Sequence, residues 1–376
     1  MAFRLSYQWM CDDAWKSGTA GVSLHSHTSI SKESVGILFE HGARNPLIAW
    51  LLNRESERYQ RHSGKPLDFN RAYWTSPVTP KEAYRLECRQ ICDSLAMRPF
   101  VSITDHDDIE ANLRLQAIDE GDDIPISTEW TAPLENTFFH FGIHNLPRAV
   151  AHEFHERMQA YRRAPSADAL HEILDDLSAH QEILIVLNHP IWDEAGIGQS
   201  AHEEVLSRLL ARMRSRIDAL ELNGLRTWRE NLRVMTLAET VGLPLVSGGD
   251  RHGHEPNALL NVTAAATFAE FVEEVRAGES HVVVMPQYRE GRKLRCFQTA
   301  WDMLRDHPEH PYGKVSCLDR SYLVRDNGEH ATLASKFKDG TPWVLAKVLW
   351  AMRLLERPRL RSALRVALSD GEGLPS

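Results

Sequence analysis

Seven short aliphatic runs in this chain each lead into, or contain, an imidazole or a carboxylate. Gly21–Leu24 is followed by His25 and His27, Phe100–Thr104 by Asp105, His106 and Asp107, and Ile124–Thr128 by Glu129. His140 lies within Thr137–Ile143, and Asn188 and His189 follow Ile183–Leu187. Glu221 and Asn223 close Ile217–Leu222, and Asp250 and His252 follow Leu243–Ser247. Amphipathic stretches at helical spacing separate most of these runs, among them Thr79–Met97, Ser166–Ala179, Glu203–Arg214, Thr227–Val241 and Thr267–Ala277. This alternation predicts parallel strands joined by crossover helices, hence an α/β sheet or barrel. In such barrels the C-terminal strand ends converge on one face, so the seven strand-end groups are expected to meet there.

The residue types define the chemistry. Neutral imidazole and carboxylate oxygen without thiolate suit zinc, manganese or iron. The donors exceed what one tetrahedral ion needs, which predicts two or three divalent ions with a carboxylate such as Glu129 bridging two of them. Paired ions generate hydroxide at neutral pH and clamp the oxygens of a displaced phosphoester. The five cysteines form no C-x-x-C pair, which fits reduced structural thiols. With 43 Lys and Arg against 52 Asp and Glu the formal charge is −9, which argues against non-specific nucleic-acid binding. No uncharged apolar run reaches membrane-spanning length. Asp12 and Asp13 stand where a secretory leader needs apolar residues, so a cytoplasmic location is expected.

In order along the chain these residues resemble the PHP family (polymerase and histidinol phosphatase domains). The H-x-H motif is His25-Ser26-His27, T-D-H-D is Thr104-Asp105-His106-Asp107, and an isolated Glu follows as Glu129. Then come His140 near Gly142, His189-Pro190, Glu221-Leu222-Asn223, and Gly248-Gly249-Asp250-Arg251-His252. The match runs over roughly residues 20–290. The resemblance implies a distorted (β/α)7 TIM-like barrel that hydrolyses phosphoesters at a cluster of two or three metals. Carried over by position, His25, His27, Asp250 and Glu129 would hold one ion. Glu129, His140 and His189 would hold a second, and His106 and His252 a third.

The family commonly places S-D-G after the first motif, whereas this chain has Ser31-Lys32-Glu33. Either Glu33 replaces the missing Asp, or the third ion is weak or absent and the Lys32 ammonium takes its place beside a phosphate. His144 rivals His140 on the same strand face. Arg251 is a candidate phosphate clamp, and Asp105 a candidate catalytic group with a supporting position behind a ligand as its alternative. Trp130, Trp192 and Trp228 each follow a site residue and are candidates for the pocket wall.

The expected organisation is a barrel over residues 1–290, with residues 35–78 as an insertion or lid after the first strand and without strands of its own. Residues 291–376 are read as a mostly helical extension ending in a basic helix Trp343–Leu368. The expected substrate is a small phosphoester, nucleotide-like ones included. Metal-assisted C–N hydrolysis of the amidohydrolase type and a non-catalytic metal-binding regulatory domain are the alternatives.

Overall fold

The computed structural model describes residues 3–11, 13–34, 46–64, 68, 71–118, 124–336, 343–355, 357 and 360. They divide between two compact units, one within residues 1–31 and 78–299, the other within residues 32–77 and 300–364.

The first unit contains two five-stranded sheets. One is built from β1 (Arg4–Tyr7), β2 (Ala20–Ser23), β5 (Arg98–Val101), β11 (Leu259–Thr263) and β12 (His281–Val284) in the order β1-β12-β11-β2-β5. The other, in the order β10-β9-β8-β7-β6, is built from β6 (Ile126–Leu134), β7 (Thr137–Leu146), β8 (Leu184–Asn188), β9 (Ala219–Asn223) and β10 (Leu245–Gly248). Between the sheets the described residues show isolated bridges, Ser26 with Arg251 and His106 with Glu129.

The expected seven-fold parallel barrel is therefore not what the strands form: the sheets are mixed and separate. Two local features cause this. Leu134 pairs with Thr137, so a two-residue turn, Glu135-Asn136, joins β6 to β7. Glu135 has φ 55°, in the left-handed region that such hairpin turns use. A loop this short permits only antiparallel pairing. Second, β11 was not foreseen as a strand and runs antiparallel to both neighbours, β2 and β12. The segment between β10 and β11 is too short for a crossover helix.

Helices cover the sheets where the sequence placed them, with ends set by their caps. Thr79 accepts from the Glu82 amide ahead of Pro80–Leu95, and Thr227 and Glu230 form a reciprocal capping box at Trp228–Val241. Gly242, at φ 68°, closes that second helix in the left-handed conformation glycine adopts freely.

The strands sort their side chains by parity. Ile185 and Leu187 of β8, with Ile183 just before it, join a large core under the helices, together with Leu220 and Leu222 of β9 and Leu245 of β10. The opposite parity, Leu184, Val186, Ala219 and Val246, meets Val22 and Leu24 of the other sheet and the helix Phe268–Arg276 in a separate apolar cluster. Further along that second parity stand Asn188, Glu221, Asn223 and Gly248. One face of each strand thus carries a dry plug at one end and polar groups at the other.

The second unit carries a four-stranded sheet, β14-β13-β4-β3, from β3 (Glu33–Ser34), β4 (Ala72–Trp74), β13 (Ser321–Val324) and β14 (His330–Thr332). These strands correct the expectation that residues 35–78 and the chain beyond 290 lack them. They are short, and β13 is only half-buried, so neither gives the alternating pattern read elsewhere. Arg320 is buried there, its guanidinium bonded to the carbonyls of Met303, Arg305, Lys314 and Val315. The described part of the last helix is Trp343–Leu355, and Arg359, Arg361 and Arg365 lie outside the described residues. No helix among the described residues is long and apolar enough to cross a membrane.

Phe271 is 1% exposed at the centre of the plug. Phe271→Ala should lower unfolding free energy by about 3–5 kcal/mol in urea titration, because the surrounding strands cannot collapse onto the void. A loss below about 1 kcal/mol would show that the plug is loosely packed.

Candidate metal centre

Glu129 sits in mid-strand on β6, opposite Gly142 of β7, with its carboxylate 1% exposed. Its two oxygens face different sets of imidazoles. Oε2 lies 3.1 Å from His25 Nε2, 3.4 Å from His27 Nε2 and 3.2 Å from His106 Nδ1. Oε1 lies 3.2 Å from His189 Nε2 and 3.4 Å from His140 Nδ1. Asp250 Oδ1 approaches the first set, 3.6 Å from His27 Nε2 and 3.8 Å from His25 Nε2. His106 and His252 stack on His27, ring centres 4.6 and 4.3 Å away. The other seven residues singled out as ligands in the sequence thus gather about Glu129 and its first imidazoles.

The donor set fits divalent metal. At metal–ligand distances of about 2.0–2.2 Å, neighbouring ligand atoms stand about 2.8–3.6 Å apart, close to the spacings here. Glu129 Oε2 makes no hydrogen bond although ring nitrogens crowd it, a poor arrangement for proton sharing and a good one around a cation. Donor atoms of His25, His27 and Glu129 lie within 4.8 Å of one another, as do those of His106, Glu129 and His140, and those of His140, His189 and Glu194. Glu194 was missed in the sequence. Its Oε2 is buried without a hydrogen bond, 3.7 Å from His140 Nδ1. It follows the strand end by several residues in an irregular loop, where no periodicity marks it.

Supporting groups aim the imidazoles. Glu221 Oε1 accepts from His25 Nδ1 at 2.5 Å, leaving the Nε2 lone pair for the centre. Its Oε2 accepts from the His189 amide at 2.9 Å and the Asn223 amide at 3.0 Å. Asn188 donates to Glu129 Oε1, and Asn223 to Asp250 Oδ2. His252 Nδ1 donates to the Asp250 carbonyl at 2.9 Å, which fixes its tautomer. His189 and Asp250 have φ of 30° and 54°, in the left-handed region. Pro190 predicts an extended His189, and the bonds to Glu221 and His202 hold it otherwise: His202 donates to the Pro190 carbonyl. Such backbone persists only when its surroundings over-determine it.

Of the three catalytic candidates, Arg251 and Asp105 make supporting contacts. Arg251 is buried, and its guanidinium bonds to Glu87, the Gly253 carbonyl and the His254 carbonyl, so it pins the loop rather than facing the donors. Lys32 is exposed, belongs to the second unit, and holds its ammonium 5.9 Å from the Tyr73 ring centre. Glu33 belongs to that unit also. Asp105 accepts from the Thr28 amide at 2.5 Å and the Thr28 hydroxyl at 2.7 Å, a buttress of the His25–His27 turn. His144 bonds Ser102 at 2.7 Å behind Gly142 and joins none of the donor groups. Burial, reinforced by the nearby His25, holds its pKa down to about 3, so it stays neutral. Trp130 and Trp228 pack in the core, and Trp192 meets His189 edge-on at 5.2 Å. A cation the sequence reading missed, Arg226, lies over the Trp192 ring at 3.5 Å, its Nη2 3.9 Å from Asp250.

Burial alone would lower His25 and His140. The carboxylates of Glu129, Glu221 and Asp250 outweigh it at His25, and those of Glu129 and Glu194 at His140, so both are raised. Burial alone would raise Glu129 and Asp250, and the surrounding imidazoles hold both well below the usual carboxylate range.

No protein-family model and no curated protein matches this chain. Among solved structures it is similar to an amidohydrolase from Chromobacterium violaceum with bound sulfate and no metal, at 16% identity and TM-score 0.31, over 48% of this chain and 84% of that one. It is also similar to a protein assigned as a metal-dependent phosphoesterase from Bifidobacterium adolescentis, at 16% identity and TM-score 0.32, over 54% and 92%.

Two outcomes follow for metal uptake. Raised imidazole pKa values mean that a cation must displace protons from His25 and His140, so affinity should climb as pH rises above the ordinary imidazole pKa of about 6.5. Calorimetric titration in buffers of different ionisation enthalpy should read proton release, and uptake without it would contradict the assigned protonation. Glu221→Ala should weaken metal affinity by about 10- to 100-fold while sparing the fold.

Proposed function

We propose that the chain is a metal-dependent hydrolase acting on phosphate esters. The observation that carries this reading is the division of Glu129 between two imidazole sets, one per carboxylate oxygen, as expected of a bridging ligand. His25, His27, Asp250 and Oε2 of Glu129 would hold one ion; His140, His189 and Oε1, with Glu194 alongside, would hold another. His106 and His252 offer donors for a third.

Bound divalent ions would supply a lowered water pKa and Lewis-acid polarisation of phosphoryl oxygens. The chain's own residues set the conditions for this. Glu221 keeps the His25 proton on Nδ1, and the Asp250 carbonyl keeps the His252 proton on Nδ1. Asn188 and Asn223 orient the carboxylates, and Asp105 fixes Thr28, directly after His27. Placing such groups before substrate arrives removes reorganisation from the reaction.

Amidohydrolase sites often bridge two ions with a carboxylated lysine. Here a glutamate, Glu129, stands between the two imidazole sets. That favours the phosphoester over C–N hydrolysis. A small phosphoester, nucleotides included, is the proposed substrate class.

Protein purified without chelator should carry two or more divalent ions per chain by elemental analysis and release phosphate from an aryl phosphate after manganese or zinc loading. Asp250→Asn and His189→Ala should each cut turnover by about a hundredfold or more. Near-wild-type turnover with unaltered metal content would remove those residues from the site, and bound metal without any phosphoester hydrolysis would overturn the reaction proposed.

A further inference from the structure

Arg226 follows the end of β9 and reaches the metal-donor cluster from a side on which the sequence predicts no cation. Its guanidinium carries five N–H donors, yet none makes a hydrogen bond to a described residue. Nε is buried without a partner, and the nearest carboxylate oxygen, Asp250 Oδ2, stands 3.9 Å from Nη2. The residue as a whole is 8% exposed. Arg251, after the neighbouring strand β10, shows the contrast: each of its nitrogens is occupied.

The position of Arg226 is nonetheless fixed. Its amide donates to the Asn223 carbonyl at 3.3 Å, and its carbonyl accepts from Tyr288 Oη at 2.8 Å and from Arg295 Nη2 at 3.3 Å. The guanidinium lies 3.5 Å from the Trp192 ring centre, and Trp192 stands edge-on to His189. Stacking occupies the guanidinium face. Its hydrogen-bond donors lie in the plane, so the stack leaves them directed outward. A held cation with uncommitted in-plane donors beside a carboxylate-rich centre matches what a tetrahedral oxyanion requires.

We infer that Arg226, seated on Trp192, is a substrate-binding residue that takes oxygens of a tetrahedral oxyanion, the phosphoryl group of the ester, next to the ion held by Asp250. The inference rests on the phosphoesterase reading for the identity of the ligand, and gives the site the fixed cation that Arg251, bonded to Glu87 and two carbonyls, does not supply.

The test uses full-length, metal-loaded protein and inorganic phosphate as probe, with affinity read by calorimetry and by Trp fluorescence. Arg226→Met keeps an unbranched side chain for Trp192, and Arg226→Lys keeps the charge without the planar fork. Arg226→Met should weaken phosphate binding by roughly ten- to a hundredfold with unchanged metal content and unchanged Tm. Arg226→Lys should fall between it and the wild type. Unchanged phosphate affinity in both variants would overturn the inference. So would loss of metal in both, which would make Arg226 a counter-charge that holds Asp250 in place. Wild-type protein that binds phosphate through Arg226 but hydrolyses no phosphoester would leave the subsite standing and remove the reaction. Hydrolysis that survives with phosphate affinity indifferent to residue 226 would do the reverse.

Discussion

A carboxylate buried among five imidazoles sets the terms for the rest of this molecule. Glu129 cannot be solvated by water, and burial alone would force it to take up a proton. The surrounding rings reverse that, and in doing so bind their own protons more tightly. Charges gathered in this way stabilise one another only at short range and fixed orientation, because desolvation of each is costly. Every neighbouring element therefore serves to hold ring nitrogens and carboxylate oxygens within about a bond length of their places. Glu221 does so for two ligands at once, through the His25 ring and the His189 amide.

The antiparallel hairpin of β6 and β7 makes the arrangement possible. It places Glu129 in the middle of a strand, cross-strand from Gly142, where a β-carbon would lie 2.6 Å from His144 Nε2 and 2.9 Å from Asn188 Oδ1. Glycine is needed there for space, and its lack of a side chain opens the gap through which Asn188 reaches the carboxylate. The backbone that positions Glu129 is thus the same feature that breaks the parallel strand order.

Much of this is legible in the sequence, for a definable reason. Period-two alternation and strand-end polar residues are local signals, and they place His25, His27, His106, Glu129, His140, His189, Asp250 and His252 together. Strand pairing is not local. The Glu135-Asn136 turn and the strand Leu259–Thr263 decide between parallel and antiparallel order, and neither stands out against its neighbours, so a barrel was expected where two mixed sheets exist. Partner choice is likewise invisible from one position. Arg251 and Arg226 are both arginines near ligand motifs; only the surrounding carbonyls and Glu87 show that the first is occupied and the second is not. Glu194 comes from an irregular loop that carries no periodic signal at all.

The parity of β8, β9 and β10 links two properties that are usually separable. Leu184, Val186 and Val246 point into the apolar plug, while Asn188 and Gly248 on the same faces border the ligands. A one-residue slip in any of these strands would turn its plug residues outward and withdraw its polar groups from Glu129 together. The donor cluster and the apolar plug are therefore gauges of one another: a strand out of register loses its part of both, even where helix content is unchanged.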